Sequence, residues 1–359
     1  MELRRSIVPG ITALLLLGVA PTSGVVSGDR GTAPLVLTVA LGSEINPPAA
    51  GVRFADAVRR MSKGKMAIAF RSTTPAGLTV EGERLAIREV REGSAPMAWV
   101  PTRGWDTQGV RTFTALQAPF LVTDYALLRK VLTGEIGRAM LATRNAGVRT
   151  LGLAPVDLRR ILGARKPFVA LTDFQGAKIR IPAGSGVTTA ILEALGAAPV
   201  EIASGGDLSA ALGNGTIDGA ETSLGYVLLN SYQTVARYLT VSPTLFPRVD
   251  AISINEHAFQ RLTLEQRSIL ERAALETAKR SFAGLAARDQ EQLRLLCLGG
   301  IKAGSSTAGQ LVALRHAVEP VYTMLRKHRP TATSIGQIEV LKRSSKPAPT
   351  LQVPAGCAA

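Results

Sequence analysis

A strand, a helix and a second strand follow one another without a break over residues 35–72, and this order limits the fold more than any other feature. "LVLTVAL" (35–41) has the apolar run of a buried strand. In "GVRFADAVRRMSKG" (51–64), Phe54, Ala57, Val58 and Met61 fall at i, i+3, i+4 and i+7, the apolar face of a helix that Gly64 stops. "KMAIAFRS" (65–72) reads as the next strand. Two strands joined through a helix lie parallel in one sheet, and parallel sheets are covered on both faces. An α/β fold is therefore expected. The 359 residues suffice for two such units, and cores with only 4% aromatic residues must be built from Ala, Val, Leu and Ile.

A second copy of the same design follows. "EGERLAIREVRE" (81–92) predicts a helix that stops at Gly93 before the short strand "PMAWVP" (96–101). "DLSAALGNGTIDGAETSL" (207–224) repeats this helix–glycine–strand order, without enough identity to be a sequence repeat. Two lobes of similar construction are expected. Residues 125–147 read as two helices split near Gly134, and 148–155 as a strand. A further strand spans 248–255, and a long helix begins at Thr263, where Thr263 and Gln266 form a capping-box pattern. From Arg329 onward the chain is rich in Pro, Ser, Thr and Ala and reads as a flexible tail, 329–359.

Residues 1–28 read as a signal peptide: Arg4 and Arg5, an apolar core over 7–20, then small residues with cleavage near Gly24 or Gly28. An uncleaved anchor is the alternative, and either way the working chain lies outside the cytoplasmic membrane. Cys297 and Cys357 are read as unpaired thiols, since Cys357 stands two residues from the end, although a bridge is neither required nor excluded. The net charge of +15 is scattered in pairs such as Arg59-Arg60 and Lys342-Arg343, with no recognition helix or zinc-finger spacing, so no nucleic-acid partner is expected.

The sequence offers little for catalysis. His257, His316 and His328 lack metal-ligand spacing, there is no GxSxG elbow, and the glycine clusters match neither GxGxxG nor GxxxxGK[ST]. No enzyme activity, catalytic residue, cofactor or metal is expected. One stretch does ask for a partner. In "FQGAKIRIPAGSG" (174–186), Lys178-Ile179-Arg180-Ile181 alternates as a short strand closed by Pro182. Arg180 then points away from the face of Ile179 and Ile181, toward water, a structural carboxylate or a ligand.

"ARKPFVALTDFQGAKIRIP" (164–182), "ALGAAPVEI" (194–202) and "ALGNGTIDGAETSL" (211–224), in that order, resemble the solute-binding proteins of TRAP (tripartite ATP-independent periplasmic) transporters of the dicarboxylate-binding type. "REVREGSAPMAW" (88–99), "QAPFLV" (117–122) and "RLTLEQRSILERAA" (261–274) match more loosely, and the resemblance covers roughly 35–290. It implies a periplasmic-binding-protein-like, two-lobed receptor that closes on a small carboxylate ligand and delivers it to the membrane subunits of a TRAP-type transporter. Lobe one would hold 34–155 and 244–286, and lobe two 156–243 and 287–328, with a hinge near 155–158 and 241–247. Arg180 would pair with the ligand carboxylate, and Arg160 is a second candidate. Trp99 would stack on the solute or serve as a core aromatic. Glu221 and Thr222 end the matching strand of the second lobe, Thr222 standing where many relatives carry asparagine. "GSEIN" (42–46) would border the cleft, and Arg103 adds a positive charge without an assigned role. A monomer is the expected state. An orphan receptor serving a sensor or another transporter, and a secreted α/β enzyme, are the alternatives.

Overall fold

The computed structural model describes residues 33–42, 46–73, 80–145 and 147–359. The leader segment 1–28 and residues 43–45 of "GSEIN" lie outside the described residues. Strands β1 (Leu35–Leu41), β2 (Met66–Ser72), β3 (Met97–Pro101), β4 (Arg144–Asn145) and β5 (Val148–Leu158) come first. They are followed by β6 (Arg160–Gly163), β7 (Lys178–Ile181), β8 (Ala198–Glu201), β9 (Gly219–Thr222), β10 (Tyr238–Ser242), β11 (Pro247–Asn255) and β12 (Lys302–Ser305). They form two six-stranded sheets, ordered β2-β1-β3-β11-β5-β4 and β12-β10-β6-β9-β7-β8.

The opening unit is a parallel pair, with Leu35 opposite Met66 through Leu41 opposite Ser72. Its connecting helix, Ala49–Met61, buries Phe54, Ala57 and Val58, the face set by the 3.6-residue period. In the second sheet β7 lies parallel to both β8 and β9, so it is an interior strand. The helix–glycine–strand device recurs: Val80–Glu92 leads to β3 past Gly93 at φ +82°, and Gly206–Gly213 leads to β9 past Gly215 at φ +77°. Glycine alone takes this left-handed backbone without a Cβ penalty.

Among the described residues up to β12, the chain crosses between the sheets three times. The first crossing is Arg159, between β5 and β6, and the second is 243–246, between β10 and β11. The third divides the long C-terminal helix. Leu264–Ser281, started by the Thr263–Gln266 capping box, packs on β5 and on Ala49–Met61. After Gly284 at φ +79°, Leu285–Leu298 packs instead on the helix Leu224–Leu229 beside the second sheet.

The C-terminal region departs from the sequence reading. Arg329–Arg343 is a helix, with Pro330 in its first turn and Thr331, Ile335 and Ile338 buried. Proline is pre-organised for the start of a helix. Three inward residues are enough to dock it, and a composition rich in Ser, Thr and Ala hides so sparse a stripe. It packs on the helices Tyr125–Thr133 and Glu135–Ala142 beside the first sheet, and Lys342 Nζ donates to the carbonyls of Phe120 and Leu121 at 2.7 Å each. The last residues return to the second sheet. The amide of Ala303 in β12 donates to Cys357 (2.7 Å) and that of Ala359 to Ala303 (3.0 Å). Cys357 is bonded to Cys297, with Cα atoms 5.5 Å apart. The thiols read as unpaired are therefore a bridge: nearness to the chain end does not loosen a terminus that is ladder-bonded to a strand.

Candidate functional site

Strands β3, β7, β8 and β9 all end at one cavity of about 260 Å³, and the start of β11 closes it. Cavities at the carboxyl ends of strands are the usual ligand positions in α/β sheets. The first sheet contributes Pro101 at the end of β3, Thr102 and Arg103 just after it, Glu83 from the helix Val80–Glu92, and Arg248 from β11. The second contributes Arg180 and Pro182, Ile202 to Ser204 after β8, and Glu221 and Thr222 at the end of β9. Arg159, at the first crossing, lies between the two sets.

Arg180 is only 4% exposed, because β7 has a neighbour on each side and its outward face meets the cavity rather than water. Its guanidinium is held by neutral acceptors: Nε donates to the Ile202 carbonyl (2.7 Å), Nη2 to Ser204 Oγ (2.8 Å) and Nη1 to the Glu221 carbonyl (3.4 Å). Among the described residues it forms no ion pair. Burial, with the nearby Arg159 charge, pulls its pKa down to about 10 despite the opposing pull of Glu221. It therefore stays charged at neutral pH.

The other three cavity arginines are matched. Arg103 Nη2 meets Glu83 Oε1 at 2.6 Å, and its Nη1 reaches Ser185 Oγ (3.4 Å), a contact from the short helix Thr102–Asp106 after β3 to the residue that precedes the helix Gly186–Ala194 after β7. Arg248 Nε lies 3.4 Å from Asp250 Oδ1, and Nη1 donates to the Tyr226 hydroxyl. Arg159 Nε donates to the Glu221 carboxylate, and its Nη1 lies 3.7 Å from Asp157 Oδ1. The Tyr226 ring takes the guanidiniums of Arg159 and Arg248 at 5.8 and 5.4 Å from its centroid. Burial pushes the Glu221 carboxyl up, but Arg159 and its hydrogen bond outweigh that and hold it below the ordinary carboxylate range.

Three of the five residues singled out from sequence come together here: Arg180, Glu221 and Thr222. Two do not. Arg160 turns to the opposite side from Arg159, as neighbours in an extended chain must. It is spent on structure: Nη1 donates to Asp289 Oδ2 (3.2 Å) and to the Leu158 carbonyl (3.1 Å), and Nε to Val241 O (3.3 Å). Asp289 also accepts from Tyr125 (3.0 Å). Trp99 is a core residue, tilted against Phe54 and donating Nε1–H to Asp250 Oδ2 (2.9 Å). It sits one step behind the cavity, on the carboxylate that also holds Arg248. The sequence reading missed Arg159, Arg248, Glu83 and Tyr226, whose partners lie far along the chain. Among the described residues no three His, Cys, Asp or Glu side chains are placed to hold a metal ion, and no helix is long and apolar enough to cross a membrane.

Residues 43–328 match the family described as bacterial extracellular solute-binding protein, family 7. The chain is 26% identical over 179 residues to the C4-dicarboxylate-binding protein DctB of Bacillus subtilis, half of each chain. It is 27% identical over 198 residues to the uncharacterized protein y4mM of Sinorhizobium fredii, 54% of this chain and 35% of that one. It thus spans between about a third and a half of the curated relatives it matches. Among solved structures, a TRAP periplasmic solute binding protein from Desulfovibrio desulfuricans with bound sn-glycerol-3-phosphate has a TM-score of 0.76 at 19% identity, covering 87% of this chain and 99% of that one. One from Ralstonia eutropha with bound (S)-2-acetolactate has a TM-score of 0.74 at 24% identity, covering 86% and 99%. The sugar acid binding protein DctPAm from Advenella mimigardefordensis, in complex with galactonate, has a TM-score of 0.73 at 21% identity, covering 87% and 99%.

Proposed function

The chain belongs to family 7 of the bacterial extracellular solute-binding proteins, and from that premise we propose that it captures a small organic acid between its lobes and delivers it to the membrane subunits of a TRAP-type transporter. It acts as a receptor rather than a catalyst, works as a monomer, and reaches the periplasm through the leader at residues 1–28. One observation carries the reading: Arg180, a buried guanidinium held by neutral acceptors, faces a cavity with no carboxylate of the protein's own paired to it among the described residues. The planar fork of an arginine binds a carboxylate through two parallel hydrogen bonds, and a low-dielectric surrounding strengthens the pair. The cavity volume falls below the roughly 300–1,000 Å³ of pockets for drug-sized ligands, which favours a small acid.

The mechanism follows from where the groups sit. The acid carboxylate docks on Arg180, which Ile202 O and Ser204 Oγ already hold in one orientation, so little side-chain entropy is lost. The Arg103–Ser185 contact joins the two sides of the cleft, and contacts of this kind, made only when the lobes are together, bias a hinge toward closure. The relatives with bound acetolactate and galactonate support the ligand class. The test is a calorimetric and thermal-shift screen of the leader-free protein against organic acids, repeated with Arg180→Ala. A hit should weaken by about 30-fold or more in the variant, the effect of removing one partner of a buried charge pair. A hit that keeps its affinity removes Arg180 as the anchor. A folded protein that binds no acid defeats the proposal.

A further inference from the structure

The cavity presents four guanidiniums but only one that is left for a ligand. Arg103 is taken by Glu83, Arg248 by Asp250, and Arg159 by Glu221 with Asp157 close by. The four carboxylates are themselves buried, with side-chain exposures of 1, 2, 3 and 9% for Glu83, Asp250, Glu221 and Asp157. Arg159 and Arg180 are buried and Arg103 and Arg248 partly so, and these four cations face four buried anions before any ligand enters. Glu81 and Glu201, the remaining acids of the lining, are exposed at the rim and add negative charge there.

Glu221 stands at the centre of this balance. Its backbone carbonyl accepts from Arg180 Nη1 and from Arg159 Nη2, both at 3.4 Å, so it sits between the two guanidiniums. Its carboxylate accepts from Arg159 Nε while its carbonyl accepts from Nη2, so Glu221 takes both the Nε and the Nη2 of Arg159. We propose that Glu221 is a built-in second carboxylate that occupies Arg159 and restricts the ligand to a single anionic group, selecting monocarboxylates over dicarboxylates. This rests on the reading above that the cavity binds an organic acid. A monocarboxylate at Arg180 adds one negative charge to a balanced site. A dicarboxylate adds a second with no uncommitted cation to receive it, and like charges in a desolvated site repel strongly.

The experiment compares matched pairs with one or two carboxylates on the same carbon skeleton: 2-hydroxybutanoate and malate, glycerate and tartronate, gluconate and glucarate. Calorimetric Kd values are measured for the wild-type protein and for Glu221→Gln, which keeps the size and one acceptor but removes the charge. In every pair that binds, the wild type should prefer the monocarboxylate by at least about tenfold, one carboxylate's worth of discrimination. Glu221→Gln should reduce that preference at least about tenfold by gaining affinity for the dicarboxylate. A wild type that binds dicarboxylates as tightly as their partners overturns the inference while leaving the acid receptor standing. So does a folded Glu221→Gln that gains nothing. If Glu221→Gln does not fold, the wild-type ratios decide alone. Binding of neither member of any pair, or of any other organic acid, overturns both readings.

Discussion

Breaking the Cys297–Cys357 bridge should cost stability without touching the binding site. The two residues are 60 apart in sequence. Closing a loop of that length removes about 14 cal/mol/K of entropy from the unfolded chain, or ~4 kcal/mol at 25 °C. The unit that unfolds spans residues 34–359. At roughly 2.1 cal/mol/K of unfolding entropy per residue, such a loss lowers Tm by about 6 °C. The folded tail keeps other ties: the Ala303–Cys357 and Ala359–Ala303 backbone bonds, and Lys302 Nζ on the Gly356 carbonyl at 2.8 Å. Since the staple acts through the unfolded chain, acid affinity should stay within about twofold. Scanning calorimetry with and without reductant tests this, with the Cys297→Ser/Cys357→Ser double variant as the control that reductant should not shift further. A Tm unmoved to within about 1 °C would refute the loop-entropy argument. A large loss of affinity on reduction would instead show that the tail shapes the site.

Arg160→Ala should destabilise the fold by about 3–5 kcal/mol, because it leaves the Asp289 carboxylate buried without its cation. An unchanged Tm with lost acid binding would put Arg160 back in the site. Trp99→Phe should cost about 1.5–3 kcal/mol through the lost hydrogen bond to a carboxylate, read by urea unfolding, and a neutral result would deny the Trp99–Asp250 bond. Ile335→Ala should cost about 2–5 kcal/mol if Arg329–Arg343 is docked, and a cost near zero would return that segment to a loose tail. Asp106, pushed from 3.8 to about 6 by burial against the opposing bonds from Thr114 and Gln117, holds its proton longer when folded than when unfolded. Its contribution therefore falls as pH rises from about 4 through 6, so Asp106→Asn should gain stability relative to wild type on going from pH 5 to pH 7, and a pH-independent difference would deny the shift.

What could be read from the sequence was what short-range period and punctuation encode. The parallel unit at 35–72, the glycine stops before β3 and β9, and the Thr263 capping box all arise within a few residues of each other. Arg180 was legible for the same reason, since Ile179 and Ile181 mark the face it avoids. Period alone could not say which of Arg159 and Arg160 meets the cavity. It fixes that they face apart, and the choice is made by Asp289 and Glu221, 129 and 62 residues away. Arg248 and Glu83 were invisible on the same grounds: each is an ordinary charged residue until the sheets bring its partner. Trp99 misled because a strand end beside a cleft has two faces, and Phe54 with Asp250 claims its ring for the interior. The tail misled because composition measures average burial, whereas docking needed only three inward side chains and a bridge.

The return of the chain end to β12 has a consequence for how copies of this protein meet. An outermost strand presents a row of unanswered amides and carbonyls, the template on which another chain's strand can add. Here β12 is flanked by β10 on one side, and on the other Ala303 is bridged by Ala358. The amide and the carbonyl of Ala303 are both already used, by Cys357 and Ala359. The final residues thus act as a chaperone covalently fastened to its own client, occupying at Ala303 the β12 edge through which the sheet could otherwise grow from molecule to molecule and leaving β8 as its other outer strand.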